Sequence, residues 1–392
     1  MFQLMKPDTK IDFVGKKMFF IGLSLIAVIV SIIALFVRGG LNLGVDFTGG
    51  IVIRAQLDQK QKPEDIRQAL QPIQLEDSII QEVQGDKNEY LIRVVKVKVD
   101  LNNLDEKTRK DLIAKFGEAV KLNDLDKLDE KTREVLKSQY LNALDGKVQQ
   151  ALIARFGQGV EITQVEMVGP TVGKELREKA LFAILFSLLI MSIYISWRFE
   201  FKLVVSAVMA ITLILVVLFA ASFKLPVLWL NIIALLVSLL LMWALRLKYA
   251  LGAIISLIHD VVITIGAFAI TNREVSLTVI AALLTIVGYS INDTIVIFDR
   301  IRENARKGTH KNFADLINLS VNQTLSRTIL TNLTVFAVVI VLFVWGGDVI
   351  NDFAFAMLIG SISGTYSTIY IASPIILIWE GRLVGKNNKA KA

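Results

Sequence analysis

The sequence predicts a polytopic α-helical membrane protein with about eight spans and one external domain of the α+β class. Apolar residues make up 54% of the 392 residues, which is more than a soluble globular chain usually carries. Most polar residues lie in one block, residues 38–179, and in short connectors between long apolar runs. This segregation indicates several membrane spans combined with one water-exposed domain.

Eight apolar runs are long enough to cross a hydrocarbon core of about 30 Å. The first run follows a lysine-rich start, as a cleaved signal peptide would, but no convincing small-x-small cleavage site follows it. We therefore expect an anchored first span within residues 1–37, and a membrane bundle over residues 180–379. The predicted spans are Met18–Val37, Ala180–Trp197, Leu203–Phe223, Leu225–Leu245, Tyr249–Ile270, Leu277–Phe298, Ile329–Trp345 and Phe353–Trp379.

The net charge of +7 is distributed as the positive-inside rule describes. Lysines and arginines flank alternate ends of the apolar runs and recur in the tail, residues 380–392. This pattern predicts that both termini are cytoplasmic and that the polar block is external. Topology in a lipid bilayer, and not a nucleic-acid partner, then accounts for the charge.

The external block, residues 38–179, reads as a ferredoxin-like α+β domain. Alternating apolar residues predict strands, and proline at the first turn predicts a short helix at Pro63–Leu70. A charged insertion, residues 100–157, repeats the motif LDEKTR and is expected to form solvated helical hairpins, with a partner-binding surface as the alternative. The predicted strands are Ile51–Leu57, Ser78–Val83, Tyr90–Val99 and Gly159–Met167.

Several classes of chemistry are not expected from this composition. The chain has no cysteine and only two histidines, His259 and His310, so a thiolate site or a His-rich zinc site is not predicted. The sequence also lacks a Walker loop, a nucleophile elbow and an HExxH motif. We therefore expect no catalytic residues, no cofactor and no metal.

Four ionisable residues at membrane depth are the candidates for function: Asp260, Asp293, Asp299 and Arg327. A charge near the bilayer centre costs at least about 2.5–3.5 kcal/mol on the insertion scale, so it seldom persists without a role. Asp293 lies one helical turn after Tyr289 and next to Asn292, which predicts a proton carrier with polar neighbours. The alternative is a helix-end carboxylate that neighbouring hydrogen bonds satisfy.

The remaining ionisable residues allow two interpretations each. Gln323, Arg327 and Thr331 recur at every fourth position and predict a polar stripe that faces the bundle, with Arg327 as a movable counter-ion. Snorkelling of Arg327 to the headgroups is the alternative.

His259 and Asp260 form either a proton relay or a packed polar pair, because imidazole titrates near neutrality. Asp299 lies beside Arg300 and Arg302, which favours an interfacial ion pair over a proton carrier. Separately, Gly360 and Gly364 provide a small-xxx-small face that is suited to close helix packing.

Five segments together resemble the SecF members of the SecD/SecF family, within the resistance-nodulation-division superfamily. They are KIDFVGKKMFF, LGVDFTGG with Asp46, Gly49 and Gly50, VGPTVGKEL with Gly169 and Pro170, GYSINDTIVIFDRIREN, and NQTLSRTILTNLT. The glycine pair precedes the first predicted strand, where a tight turn needs positive φ.

The resemblance implies a multi-pass protein of the bacterial cytoplasmic (inner) membrane that uses the proton-motive force to draw preproteins outward. It implies SecD and the SecYEG channel as partners, with a YajC-like small subunit as a further candidate and an unfolded preprotein as substrate. It also maps the proton residues of the family onto Asp293 and Arg327. The family has six spans, so the runs 203–223 and 225–245 are interpreted as an inserted hairpin.

Three hypotheses follow from these patterns. The chain is a proton-coupled export subunit, a passive assembly factor in which Asp293 and Arg327 form a static ion pair, or a superfamily exporter of lipids or small molecules. An exporter of that kind would carry two superfamily halves, whereas one half is visible here, so a heteromeric partner is favoured.

Overall fold

A computed structural model describes residues 10–73, 75, 78–83, 88–94, 144–200, 203–223, 225–308 and 312–380. The repeated LDEKTR motifs, His310 and residues 381–392 of the basic tail lie outside the described residues. The chain divides into two compact units, residues 43–179 and the remainder.

The helices and strands are named here in chain order. They are α1 Lys17–Val37, α2 Val45–Thr48, β1 Gly50–Leu57, α3 Pro63–Leu70, β2 Ile79–Glu82, β3 Glu89–Val94, α4 144–156, β4 Val160–Val168, α5 Pro170–Glu200, α6 Leu203–Ser222, α7 Val227–Ala244, α8 Lys248–Thr271, α9 Leu277–Lys307, α10 Phe313–Trp345 and α11 Asp348–Ser367. A wider turn, Thr368–Ala372, continues α11 into a last helical stretch, 373–380.

The unit of residues 43–179 is a four-stranded antiparallel sheet with helices packed on it. The strand order is β2-β3-β1-β4, so β1 pairs with both β3 and β4 although neither follows it directly in the chain. Alternate residues of β1 are buried, and they pack with apolar residues of α3 and α4. This is the order expected of a ferredoxin-like domain, and each predicted strand overlaps an observed one.

The other unit is a bundle of apolar helices. Within the described residues, seven helices are long and apolar enough to cross a membrane, namely α1, α5 and α7 to α11 with its continuation. Helix α6 adds a shorter apolar stretch, Ala207–Phe219. The predicted fold class, a helical membrane protein with a small α+β domain, is confirmed, whereas the count of eight spans stays a prediction.

Three of the helices, α5, α9 and α10, extend well past the predicted spans. Helix α10 begins at Phe313, where the side chain of Asn312 accepts a hydrogen bond from the backbone N–H of Ala314 and caps the helix. Helix α9 ends at Lys307, and the next residue, Gly308, has φ of +65°, the left-handed conformation typical of the position after a helix. The sequence places the apolar cores of these helices correctly, but the polar turns beyond them also fold as helix.

Helix α11 packs closely on α9 through its two glycines. A Cβ at Gly360 would lie 2.3 Å from Cδ1 of Ile286, and a Cβ at Gly364 would lie 3.2 Å from Cβ of Ser290. The predicted small-residue packing face is therefore confirmed. Because of this close approach, hydroxyl groups of α9 and α11 can meet around the same carboxylate of α8.

Candidate functional site

Asp293 lies inside the bundle on α9 and is bonded to the next helix. Its carboxylate is 5% exposed and accepts a 2.6 Å hydrogen bond from the side-chain amide of Asn332 on α10. The hydroxyl of Tyr289, one turn before Asp293 on α9, donates to the amide oxygen of Asn332. The three side chains therefore form a hydrogen-bonded chain between α9 and α10.

Asn332 is a site residue that the sequence reasoning missed. It is buried, and it lies between Thr331 and Thr334, where α10 enters its apolar stretch. A lone amide within an apolar span was the available signal, since such a group needs a hydrogen-bond partner.

The predicted polar stripe on α10 is not buried within this chain, although Gln323 accepts a hydrogen bond from Asn304 on α9. Gln323, Arg327 and Thr331 are all exposed in this chain. Five residues separate Arg327 from Asn332, which places the two side chains on different faces of the helix. The buried polar side chains of α10 are instead Ser320, Thr324, Thr328 and Asn332.

Arg327 nevertheless lies close enough for its charge to act on Asp293. No salt bridge within 4.0 Å joins Arg327 to Asp293 in the part of the chain that the structure describes. The arrangement is therefore an electrostatic pair without direct contact, and the carboxylate is held by Asn332.

Asn292, which the sequence placed beside the carboxylate, does not belong to this cluster. It is exposed and lies on another face of α9. Adjacent residues of a helix point about 100° apart, so direct neighbours in sequence seldom share a site. Proximity in the sequence was a poor guide at this position.

Asp260 forms a second buried cluster, on α8. Its carboxylate is fully buried and accepts hydrogen bonds from Ser290 on α9 at 2.7 Å, from Ser363 on α11 at 2.7 Å and from Ser367 on α11 at 2.8 Å. Ser367 in turn accepts a 2.8 Å bond from Ser256 on α8. Three helices thus meet at this one carboxylate.

His259 completes the second cluster. Its Nδ1 lies 3.1 Å from Oδ1 of Asp260, and its ring stacks on the ring of Tyr366 with centroids 6.1 Å apart. The structure thus brings together the two residues that the sequence paired, and both are buried. Whether they relay protons stays a prediction.

Asp299 forms an ion pair, but with a different partner from the neighbours that the sequence suggested. Its carboxylate lies 2.6 Å from the guanidinium of Arg198 at the end of α5, and both side chains are more than one-third exposed. Arg300 instead pairs with Glu303. Asp299 is therefore a partly exposed structural residue and not a second buried carboxylate.

The glycine motif turns the chain sharply before β1. Gly49 has φ of +70° and Gly50 has φ of +135°, conformations that favour glycine. A Cβ at Gly173, in the first turn of α5, would lie 2.8 Å from the backbone nitrogen of Gly49, so the two segments touch at backbone level. Helix α5 begins at Pro170, and the carbonyl of Gly169 accepts from the N–H of Gly173.

Asp46 lies in α2, within the same motif, and faces a buried cation. Burial lowers the pKa of Arg93 on β3 to about 10, and the negative charge of Asp46 opposes that shift. The guanidinium of Arg93 also donates to the carbonyl of Leu43 at 3.2 Å. The motif is therefore tied to the sheet electrostatically as well as by its turn.

The described residues contain no group of three or more histidine, cysteine, aspartate or glutamate side chains that could hold a metal ion. The clusters around Asp260 and Asp293 each combine a carboxylate with hydroxyl, amide or imidazole groups. Such groups can hold and pass protons.

Comparison with known proteins identifies the family. The model of the family "Protein export membrane protein SecD/SecF, C-terminal" matches residues 148–239 and 227–382, and the model of the "SecD/SecF GG Motif" matches residues 33–61. The chain belongs to the SecD/SecF family. The two matches to the C-terminal model overlap at residues 227–239, in α7, which is part of the predicted inserted hairpin.

Curated relatives of this SecD/SecF chain are similar over nearly their whole length. "Protein translocase subunit SecF" of Calditerrivibrio nitroreducens is 34% identical over 379 residues, covering 96% of each chain. The protein of the same name from Desulfurispirillum indicum is 35% identical over 377 residues, covering 95% of this chain and 93% of the relative.

Solved structures of the family share the fold. The crystal structure of SecDF, a translocon-associated membrane protein from Thermus thermophilus, matches with a TM-score of 0.60 at 26% identity. The match covers 96% of this chain and 40% of the SecDF chain, so the present chain spans less than half of that protein.

Proposed function

We propose that this chain is a SecF-type subunit of the Sec preprotein translocase and that, with SecD, it uses the proton-motive force to promote preprotein translocation and release. The names of the full-length relatives, and the match of this chain to 40% of a single chain named SecDF, support this proposal. The chain is then a transport component and not an enzyme.

The observation that carries the proton-coupled part of the proposal is the setting of Asp293. Its carboxylate is buried between two apolar helices, with one amide donor and a nearby arginine charge that makes no ion pair with it. A buried charge of this kind is costly, and its cost depends on where the arginine lies. Because arginine stays protonated, Asp293 is the group of the pair that can carry a proton.

The proposed mechanism couples protonation to helix packing. A proton on Asp293 removes the attraction between its carboxylate and Arg327, so α9 and α10 can repack. Release of the proton to the other side of the membrane restores the attraction. One proton crossing 100 mV supplies about 2.3 kcal/mol, which biases a two-state motion without making it all-or-none.

We propose the following setting for this cycle. The chain lies in the bacterial inner membrane with both termini cytoplasmic and with residues 43–179 outside. Its partners are SecD, the SecYEG channel and a YajC-like small subunit, and its substrate is an unfolded preprotein.

The experiment is completion of preprotein translocation in vesicles that carry this chain with its SecD partner, with and without a proton-motive force. Asp293→Asn keeps the shape of the side chain and removes its charge, so we expect normal assembly and loss of the proton-dependent step. Asp299→Asn is the matched control, because the same change at a partly exposed ion pair should leave that step in place.

A passive assembly role is the second candidate. The hydrogen bond from Asn332 favours it, because a carboxylate that is already bonded can be purely structural. If Asp293→Asn retains the full proton-dependent step, this candidate replaces the first.

A further inference from the structure

Hydrogen-bond donors surround Asp260 on all sides. A carboxylate offers about four lone-pair positions, and in this cluster three serine hydroxyls and the imidazole Nδ1 approach them at 2.7–3.1 Å. A protonated carboxyl would have to donate to one of these groups, which would then accept instead of donating. Ser367 could do this because its hydroxyl also reaches the carbonyl of Gly364 at 3.2 Å, but an ionised carboxylate accepts from all four without rearrangement. The cluster therefore fits an ionised Asp260 better than a protonated one.

An ionised Asp260 determines which ring nitrogen of neutral His259 carries the hydrogen. Because an ionised carboxylate can only accept, the hydrogen of neutral His259 lies on Nδ1, which faces Oδ1 of Asp260. The lone pair then lies on Nε2. That atom is buried and has no hydrogen-bond partner in the described residues, and the His259 side chain is only 8% exposed.

An imidazole held by a carboxylate at one nitrogen and free at the other is the arrangement of a proton acceptor. We propose that Nε2 of His259 is a separate proton-binding site, with Asp260 as the positioning residue that fixes its tautomer and balances its charge. The bound proton comes from hydronium. Nε2 gains it, the ring becomes imidazolium, Asp260 stays a carboxylate, and the net charge of the pair rises from −1 to 0.

The other titratable groups around the pair do not compete for this role. Helix α1, which packs on α8, has no ionisable residue between Lys17 and Arg38. On α11, the hydroxyl of Tyr366 donates to the carbonyl of Phe20 and accepts from Ser24. On α9, the carboxylate of Asp293 is turned to Asn332. In the turn Thr368–Ala372, the ring of Tyr370 lies against the rings of Phe20 and Tyr366, and α7 carries no ionisable residue.

Helix α9 carries parts of both sites. Ser290 donates to Asp260 on α8, and Asp293, three residues later, is bonded to Asn332 on α10. A shift of α9 that follows protonation of one site therefore changes the contacts of the other. In this sense the second site rests on the proposed function, because it assumes that the proton bound at His259 belongs to the same transport cycle.

The first test is solid-state ¹⁵N spectroscopy of the full chain, labelled at histidine and embedded in liposomes. The chain has only two histidines, so His259→Asn and His310→Asn assign the two signals. We expect His259 to be neutral with hydrogen on Nδ1 in alkaline buffer and to gain a proton on Nε2 on acidification. Asp260→Asn should abolish the preference for the Nδ1–H form. A hydrogen on Nε2 in alkaline buffer, or an unchanged tautomer in Asp260→Asn, overturns the proposal.

The second test is activity in the vesicle assay. His259→Asn keeps an N–H near the position of Nδ1 but removes Nε2, so we expect at least about a tenfold loss of the proton-dependent rate. His310→Asn should retain that rate. If His259→Asn is fully active while Asp293→Asn is not, the second site is refuted and the proposed function stands. If both variants are fully active, the proposed function fails as well.

Discussion

Removal of the side-chain amide of Asn332 should lower the free energy of unfolding substantially. In Asn332→Ala, the Asp293 carboxylate loses its 2.6 Å donor, and the Tyr289 hydroxyl loses its acceptor. A hydrogen bond to a charged group contributes about 1.5–3 kcal/mol, and a half-buried hydroxyl left without a partner costs about 1 kcal/mol. We therefore expect the free energy of unfolding to fall by about 2.5–4 kcal/mol.

The assay is detergent-driven unfolding of the purified chain, followed by the fluorescence of its 5 tryptophans. A double-mutant cycle with Asp293→Asn isolates the contribution of the charge. Because the amide of Asn332 still bonds a neutral partner at that position, the expected coupling free energy is about 1 kcal/mol. Asn292→Ala is the matched control. Because the Asn292 side chain is exposed, its removal should lower the free energy of unfolding by no more than about 0.5 kcal/mol.

Two results would refute the reasoning. A coupling free energy within about 0.3 kcal/mol of zero would mean that Asn332 does not respond to the charge of Asp293. An equal fall in the free energy of unfolding in Asn292→Ala and Asn332→Ala would mean that the burial of Asn332 does not make its amide more important for stability.

Two further predictions concern helix packing and pH. Gly360→Ala should lower the free energy of unfolding by about 1–3 kcal/mol, because the new Cβ would meet the side chain of Ile286. Gly288→Ala is the control and should not lower it, because no described atom lies within 4 Å of a Cβ at that position. Equal unfolding curves for the two variants would contradict this prediction. Bonds from the N–H of Gly15 and the amide of Asn318 lower the pKa of Asp12, so its stabilising contribution is present above the unfolded value of 3.8 and is lost as pH falls through the lower folded value. Hydrogen exchange of residues 11–16 should rise in that acid range in the wild type, and a rise of the same size in Asp12→Asn would show that another group is responsible.

The N-terminal segment shows which features can be predicted from the sequence and which cannot. The motif KIDFVGKK indicates the start of a span, but its hydrogen-bond partners lie 304–311 residues further along the chain. The side chain of Asn318 on α10 accepts hydrogen bonds from the backbone N–H groups of Phe13 and Val14. The side chain of Asn322 accepts from the N–H of Ile11 and donates to its carbonyl. Side chains that bind backbone leave no periodic pattern in the sequence, so such contacts could not be predicted.

The polar residues of the spans show the same limit. The sequence shows which residues are polar within apolar runs, and that was enough to select Asp260 and Asp293 as buried groups. It paired His259 with Asp260 correctly but misassigned Asn292 as a neighbour of Asp293, because a helix turns 100° per residue and an error of one position changes the face. Asn292 is next to Asp293 in the sequence, but Asn332 is the amide that bonds its carboxylate in the structure.

The sequence by itself determined the fold class and the strands of the α+β domain, because hydrophobic burial and strand alternation are properties of local composition. Five sequence motifs indicated the family. Only the tertiary structure decided which polar side chains meet. Ser290, Ser363 and Ser367 come from two helices to one carboxylate, and the glycines at 360 and 364 let those helices approach closely enough for the hydroxyls to reach it. Such meetings depend on the rotation and separation of whole helices, which are set by packing across the bundle and not by any single segment.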